Sequence, residues 1–294
     1  MIYVDYFKFP NAEEEIDFLL SERDPRMKRT CYDTFYPFKV LSRHGLERID
    51  FEPITILYGG NGSGKSTALN VIAEKTKIKR DSAFNKSNFY PDYVKMCKMD
   101  WRDEIPENSR IITSDDVFDY MLNIRCLNED IDNKREEIIT EYKEYLEVDE
   151  WKKFKLRSLA DFEQLRKIYK ARRKSQSRIV REELMDNVRG YSNGESAFIY
   201  FTEKIDENGL YILDEPENSL SPKRQTDLAR FIEDSARFFK CQIIISTHSP
   251  FLLALRGAKI YDLDEDPVTV KRWTELENIR FYHEFFKSHK DEFL

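Results

Sequence analysis

Gly59-Gly-Asn-Gly-Ser-Gly-Lys-Ser66, with Ile54-Thr-Ile-Leu-Tyr58 directly before it and Thr67-Ala-Leu-Asn-Val-Ile-Ala-Glu74 directly after, decides the fold. A short apolar run, a glycine-rich turn and a glycine-free stretch predict a strand, a tight loop and a helix. The glycines let the backbone wrap closely enough for several amide N–H groups to converge, at the positive end of the new helix. Such a loop cradles a triphosphate. Gly59, Asn61, Gly62, Ser63, Gly64, Lys65, Ser66 and Thr67 are therefore the candidate ATP-binding residues. Lys65 would neutralise the β- and γ-phosphates, and Ser66 would hold magnesium. ATP and Mg2+ are the expected cofactors.

Working outward, Leu210-Tyr-Ile-Leu-Asp-Glu-Pro216 sets two acids at the end of a buried apolar run. Ligands bind at the C-terminal ends of strands in α/β sheets. Asp214 is placed in the magnesium shell, and Glu215 is the candidate catalytic carboxylate that orients and polarises the attacking water. Without the glycine-rich loop, the same pair before proline would read as a plain turn. Ser246-Thr-His-Ser-Pro250 follows a run of three isoleucines, and His248 stands 34 residues after Asp214. A lone histidine closing a strand is usually structural.

Gly190-Tyr-Ser-Asn-Gly-Glu-Ser196 lies upstream, with Ser192 twenty-two residues before Asp214. At this point the chain resembles the ABC-ATPase superfamily, whose signature is Leu-Ser-Gly-Gly-Gln. Ser192 and Gly194 fall on the signature serine and second glycine, while Tyr191, Asn193 and Glu195 depart from the commonest letters. Glutamate in the last position also occurs in the chromosome-maintenance branch. The resemblance implies that Ser192, Gly194 and Glu195 complete an ATP site on a second copy, hence a homodimer formed on ATP binding. It also puts Glu217-Asn-Ser-Leu-Ser-Pro222 at the D-loop, which contacts the partner subunit, and makes His248 the switch histidine. The lead-in from Ile49 to Lys65 is most similar to RecF/SMC-type soluble ATPases, often grouped loosely as AAA-family ATPases. One element departs: no glutamine occurs between Lys65 and Leu159, where the family carries its Q-loop. Asp115 or Asp116 stands in for it, or else these acids simply open a helix.

Between the two motif-bearing parts lies a different stretch. Leu127, Ile131, Ile138, Tyr142, Tyr145 and Leu146 recur at helical spacing, and no glycine occurs between Gly64 and Gly190. Residues 127–150 carry ten acids against three bases, and residues 151–181 twelve bases against two acids. Two such helices would pair through opposite charge. The basic run 166–181 reads either as that self-paired face or as a contact for an anionic partner. The expected fold is thus α/β, a P-loop NTPase with an ABC-ATPase-type mixed sheet core and an inserted helical subdomain. Its organisation is 1–118 for the first part of the core, 119–189 for the helical insertion and 190–294 for the rest.

Composition narrows the function. Charged residues make up 35% of the 294 and hydrophobic ones 40%, with mean hydropathy −0.66. This is the balance of a soluble globular protein. A net charge of −7 argues against a chain coated in nucleic acid. The start, Met1-Ile-Tyr-Val-Asp-Tyr6, lacks the basic and apolar regions of a signal peptide, and the longest apolar runs are too short to span a bilayer. Four scattered cysteines suggest reduced thiols in a cytoplasmic protein. The expected function is a soluble ATPase whose ATP-dependent dimerisation acts on nucleic acid or an effector protein, as in DNA repair or phage defence. The rival is the ATP-binding subunit of a membrane transporter. A nuclease domain is not expected in the segment after the last sheet motif.

Overall fold

The computed structural model describes residues 1–20, 34–147, 166, 167, 169, 173, 175–188 and 193–293. Strands β1 (Val4–Lys8), β2 (Arg48–Asp50), β3 (Ile54–Tyr58), β4 (Lys98–Trp101), β5 (Arg110–Thr113), β6 (Leu210–Asp214), β7 (Gln242–Ser246), β8 (Lys259–Asp262) and β9 (Thr269–Lys271) form two sheets. Helices α1 (Ala12–Leu19), α2 (Lys65–Thr76), α3 (Tyr90–Met96), α4 (Ser114–Glu147), α5 (Gln176–Glu183), α6 (Asn193–Lys204), α7 (Pro222–Phe238), α8 (Pro250–Leu253) and α9 (Glu277–Ser288) accompany them.

The larger sheet runs β5-β6-β7-β3-β8-β9. All its pairings are parallel except β8 with β9. Its central strands are apolar on both faces because both are covered: Ile56, Leu57, Ile212, Leu213, Ile243 and Ile245 are fully buried. Each such side chain contributes about 1.5–3 kcal/mol on burial. The polarity changes only at the strand ends. Thr113, Asp214 and Ser246 are register partners in turn across β5, β6 and β7. Three polar side chains therefore line one edge of the sheet, next to the point where β3 gives way to the glycine-rich loop.

The smaller sheet, β2-β1-β4, is antiparallel. Phe38-Lys-Val-Leu41, which reads as a strand from its apolar content, is a turn instead. Phe38 N–H donates to Phe35 O at 3.0 Å and Val40 N–H to Pro37 O at 3.3 Å. Lys39 sits at φ +64°. Its apolar residues serve as packing: Phe38 and Leu41 are buried in one cluster with Leu69 and Ile72 of α2 and Tyr93 of α3.

The chain divides into two compact units, Met1–Phe118 with Asn193–Leu294, and Asp119–Ser192. Within the second, Arg135 on α4 pairs with Asp132 and Asn187, and Lys167 lies 3.5 Å from Glu141. That last pair is one instance of the opposite-charge match read from residues 127–181. Within the basic run 166–181, Lys170, Arg172 and Lys174 lie outside the described residues.

Candidate functional site

The loop leaving β3 is shaped by glycines that nothing else could replace cheaply. Gly62 and Gly64 take φ of +87° and +92°, a region costing other residues about 1–2 kcal/mol. A Cβ on Gly64 would also stand 2.9 Å from Leu41 Cδ2, and one on Gly59 would stand 2.5 Å from Ser63 Oγ. Gly64 caps α2 with no side chain bonded to the helix amides. Ser63 Oγ is buried with no hydrogen-bond partner among the described residues. Orphan donors around an open helix N-terminus fit the oxygens of a phosphate chain. Asn61 is exposed at the tip. Thr67 is buried, and its hydroxyl accepts from Tyr36 Oη at 3.1 Å.

Lys65 folds back onto this loop. Its Nζ donates to Gly59 O at 2.7 Å and Gly60 O at 2.9 Å, and lies 3.5 Å from Glu215 Oε1. Only 4% of it is exposed. The ammonium is thus desolvated and held by two carbonyls and one carboxylate, partners that phosphate oxygens can replace. Asp264 steadies the loop from behind, taking Gly60 N–H on both carboxylate oxygens at 2.9 and 2.8 Å.

The acidic edge faces it. Ser66 Oγ donates to Asp214 Oδ1 at 3.1 Å, and Ser246 Oγ also donates to that oxygen. Burial pushes the Asp214 carboxyl above its usual range, and the two hydroxyls only partly oppose this. The Ser66 and Asp214 oxygens fit magnesium. Among the described residues no group of three or more His, Cys, Asp or Glu gathers to hold a metal. Magnesium suits that sparse set, because it is usually held by one or two protein oxygens, with substrate phosphates and water completing its shell. Glu215 follows at φ +48°, a conformation unusual for glutamate. Its N–H donates to Ser246 O and Oγ at 3.1 and 3.0 Å, and Asn218 Nδ2 donates to its Oε2 at 3.1 Å. The strained turn aims the carboxylate at Lys65.

His248 leaves β7 with its side chain 44% exposed. Glu217, the first residue of the segment 217–222, turns inward and is 6% exposed. Its Oε1 accepts from Thr247 Oγ1 at 2.7 Å and His248 N–H at 2.9 Å. Gly194 and Glu195 open α6. A Cβ on Gly194 would lie 3.6 Å from Ser219 O, and Arg224 pairs with Glu195 at 3.2 Å. Ser192 lies outside the described residues. Asp116 is a helix-start residue: its Oδ2 accepts from Thr113 N–H at 2.6 Å and Thr113 Oγ1 at 2.8 Å, opening α4. Asp115 is exposed.

The structure therefore gathers Lys65, Ser66, Asp214 and Glu215 into one direct network, with His248 two residues beyond the end of the neighbouring β7. Reading the sequence missed Asp264, Ser246, Glu217 and Asn218 as parts of it. Asp264 acts across 204 positions and carries no motif, whereas Ser246 could have been found as the polar end of the run that precedes His248.

Comparisons with known proteins fit this geometry. The family model for the ABC transporter matches residues 48–218, and that for the AAA ATPase domain matches residues 193–253. No curated protein sequence matches the chain. Among solved structures, it is similar to a Smc head domain with an extended coiled coil, bound to the C-terminal domain of ScpA and derived from Pyrococcus furiosus. That likeness has 14% identity and a TM-score of 0.43, over 97% of this chain and 100% of that one. A dimeric ATP-binding cassette in a post-hydrolysis state, bound to ADP and phosphate, is similar at 13% identity and TM-score 0.36, over 78% and 90%. Among the described residues no helix is long and apolar enough to cross a membrane. With a model match over more than half its length, and with the nucleotide loop and acidic edge in place, the chain belongs to the ABC transporter family and is an ABC-type ATPase.

Proposed function

We propose that this ATPase hydrolyses magnesium-bound ATP in a site completed by a second copy of the chain, and that ATP-driven pairing gates an action on nucleic acid or a partner protein. The observation that supports hydrolysis is the ion pair of Lys65 with Glu215 beside the Ser66–Asp214 contact. A nucleotide entering the loop draws Lys65 from the Gly59 and Gly60 carbonyls to the β- and γ-phosphates. Glu215 then loses its cation and is left to orient and deprotonate the attacking water. The oxygen of that water bonds to the γ-phosphorus while the bond to the bridging oxygen breaks, and ADP leaves. Ser66 and Asp214 would hold magnesium, which when bound would neutralise charge on the phosphate oxygens. His248 meets the γ-phosphate and registers its departure.

Gly194 and Glu195 lie against the 219–224 segment. A serine and a glycine amide opening a helix form an anion site, which we place on the γ-phosphate held by the opposite copy. Light scattering tests this. Glu215→Gln with ATP and magnesium is expected to run as a dimer, and adding Ser192→Arg is expected to return it to the nucleotide-free state. An unchanged dimer in the double variant would refute the shared site.

A further inference from the structure

The 214–218 segment does more than carry the two acids of the nucleotide site. After Asp214 the chain turns through Glu215 at φ +48° into a single 3-10 turn, Pro216–Ser219. That turn brings Glu217 back beneath the end of β7. Its carboxylate is 6% exposed, and its hydrogen bonds are accepted by Oε1. Thr247 Oγ1 donates to it at 2.7 Å and His248 N–H at 2.9 Å, while Gln225 Nε2 reaches the Glu217 carbonyl at 3.5 Å. The His248 ring also faces it, Nδ1 lying 3.5 Å from the same oxygen. The other oxygen, Oε2, is buried without a hydrogen-bond partner among the described residues.

A half-satisfied buried carboxylate is expensive for the fold. Leaving such a group short of partners costs on the order of 1–3 kcal/mol, more when it is charged. Stability alone would be served as well by an apolar side chain or an amide here. The geometry serves placement instead. One oxygen fixes the backbone of residue 248 and the hydroxyl of 247, and it also lies 3.5 Å from Nδ1 of the imidazole. Holding one ring nitrogen decides which nitrogen faces outward, and so what the histidine offers.

We propose that Glu217 is a positioning residue for ATP hydrolysis, setting where His248 stands and presenting Nε2, not Nδ1, to the nucleotide. This rests on the role of His248 given under Proposed function. Because Glu215 and Glu217 leave the same turn, the carboxylate that activates water and the histidine that meets the γ-phosphate are aligned by one short segment.

The test compares steady-state ATP turnover in wild type, His248→Ala, Glu217→Ala, Glu217→Gln and the double alanine variant. Glu217→Ala is expected to lower kcat by about 10²-fold, as misplacing a catalytic group does, with KM for ATP near the wild-type value. Glu217→Gln keeps an oxygen acceptor for Thr247 and His248 N–H and is expected to recover most of the turnover. The double variant is expected to be no slower than His248→Ala alone. Ring-nitrogen NMR of the nucleotide-free protein, with the His248 signal identified by its loss in His248→Ala, gives a readout besides activity. Wild type is expected to carry its proton on Nδ1, and Glu217→Ala to lose that preference. Should Glu217→Ala not fold, Glu217→Asp, which shortens the arm by one methylene, replaces it with the same expectations. Additive losses in the double variant, or an unchanged ring signal, would overturn the role of Glu217 while leaving the ATPase reading intact. A silent His248→Ala, or a wild type without turnover, would instead overturn the reading of the site itself, and this proposal with it.

Discussion

Glu15 is a single side chain whose removal is expected to loosen the whole approach to the nucleotide loop. It projects from α1, is 1% exposed, and takes Lys39 N–H at 2.7 Å and Ser42 Oγ at 2.8 Å on one oxygen. Those two donors hold the turn that presents Leu41 to Gly64. In Glu15→Ala both lose their acceptor, at about 1–3 kcal/mol each. Relief of the desolvated carboxylate offsets part of this, leaving a net loss of about 2–4 kcal/mol. At about 2–4 °C per kcal/mol for a domain of this size, the melting midpoint is expected to fall by roughly 5–15 °C. Burial raises the Glu15 carboxyl above its ordinary value. A raised folded-state value means that the folded protein binds this proton more tightly than the unfolded chain. The associated stability is full below the unfolded value near 4.3 and is lost as pH rises through the folded one. Wild type is therefore expected to gain on Glu15→Gln as pH falls from 7 towards that value. Circular dichroism melts of the three proteins across that range provide the assay. An alanine midpoint within about 2 °C of wild type, or a wild-type advantage over glutamine that grows towards neutral pH, would refute the reasoning.

Two further outcomes follow from the site. Asp214→Asn removes a carboxylate that burial pushes up, so at pH 7 it is expected to raise the melting midpoint of the nucleotide-free protein. That gain shrinks as pH falls towards the unfolded-state value near 3.9; the added protection that ATP with magnesium confers is lost across the whole range. A lower midpoint at pH 7 would count against this. Gly64→Ala meets both a positive φ and the Leu41 methyl at 2.9 Å, so ATP binding by fluorescence titration is expected to fall at least tenfold, matching about 1–2 kcal/mol of strain. Leu41→Ala added to it should recover part of that loss, and a double variant that is merely additive would show that the methyl contact plays no part.

The legible parts of this molecule are those where one local rule acts alone. Ile54–Tyr58, Leu210–Leu213 and Ile243–Ile245 announce themselves as buried parallel strands because both faces are apolar. The glycine-rich loop is legible because only glycine takes the conformations at 62 and 64. The small antiparallel sheet is not, since Val4–Lys8 is short and its partners lie 40 or more positions away, as Tyr6 with Asp50 shows. Phe38–Leu41 misleads because apolar content reports burial, and a turn packed on α2 is buried as fully as a strand. The inward place of Glu217 is not legible either, since the backbone turn at Glu215 sets it and no local pattern announces that turn. The pairing of Lys167 with Glu141 is legible as opposite charge in neighbouring stretches, because the acids cluster before residue 150 and the bases after it.

The central claim is that one site, centred on Lys65, Asp214 and Glu215, hydrolyses ATP. Phosphate release from ATP and magnesium by wild type and Glu215→Gln, measured beside nucleotide binding, tests it most directly. Wild type is expected to turn over, and Glu215→Gln to bind ATP yet release phosphate about 10²–10⁴-fold more slowly, as removal of one positioned acid–base group does. Turnover in Glu215→Gln equal to wild type would contradict the account.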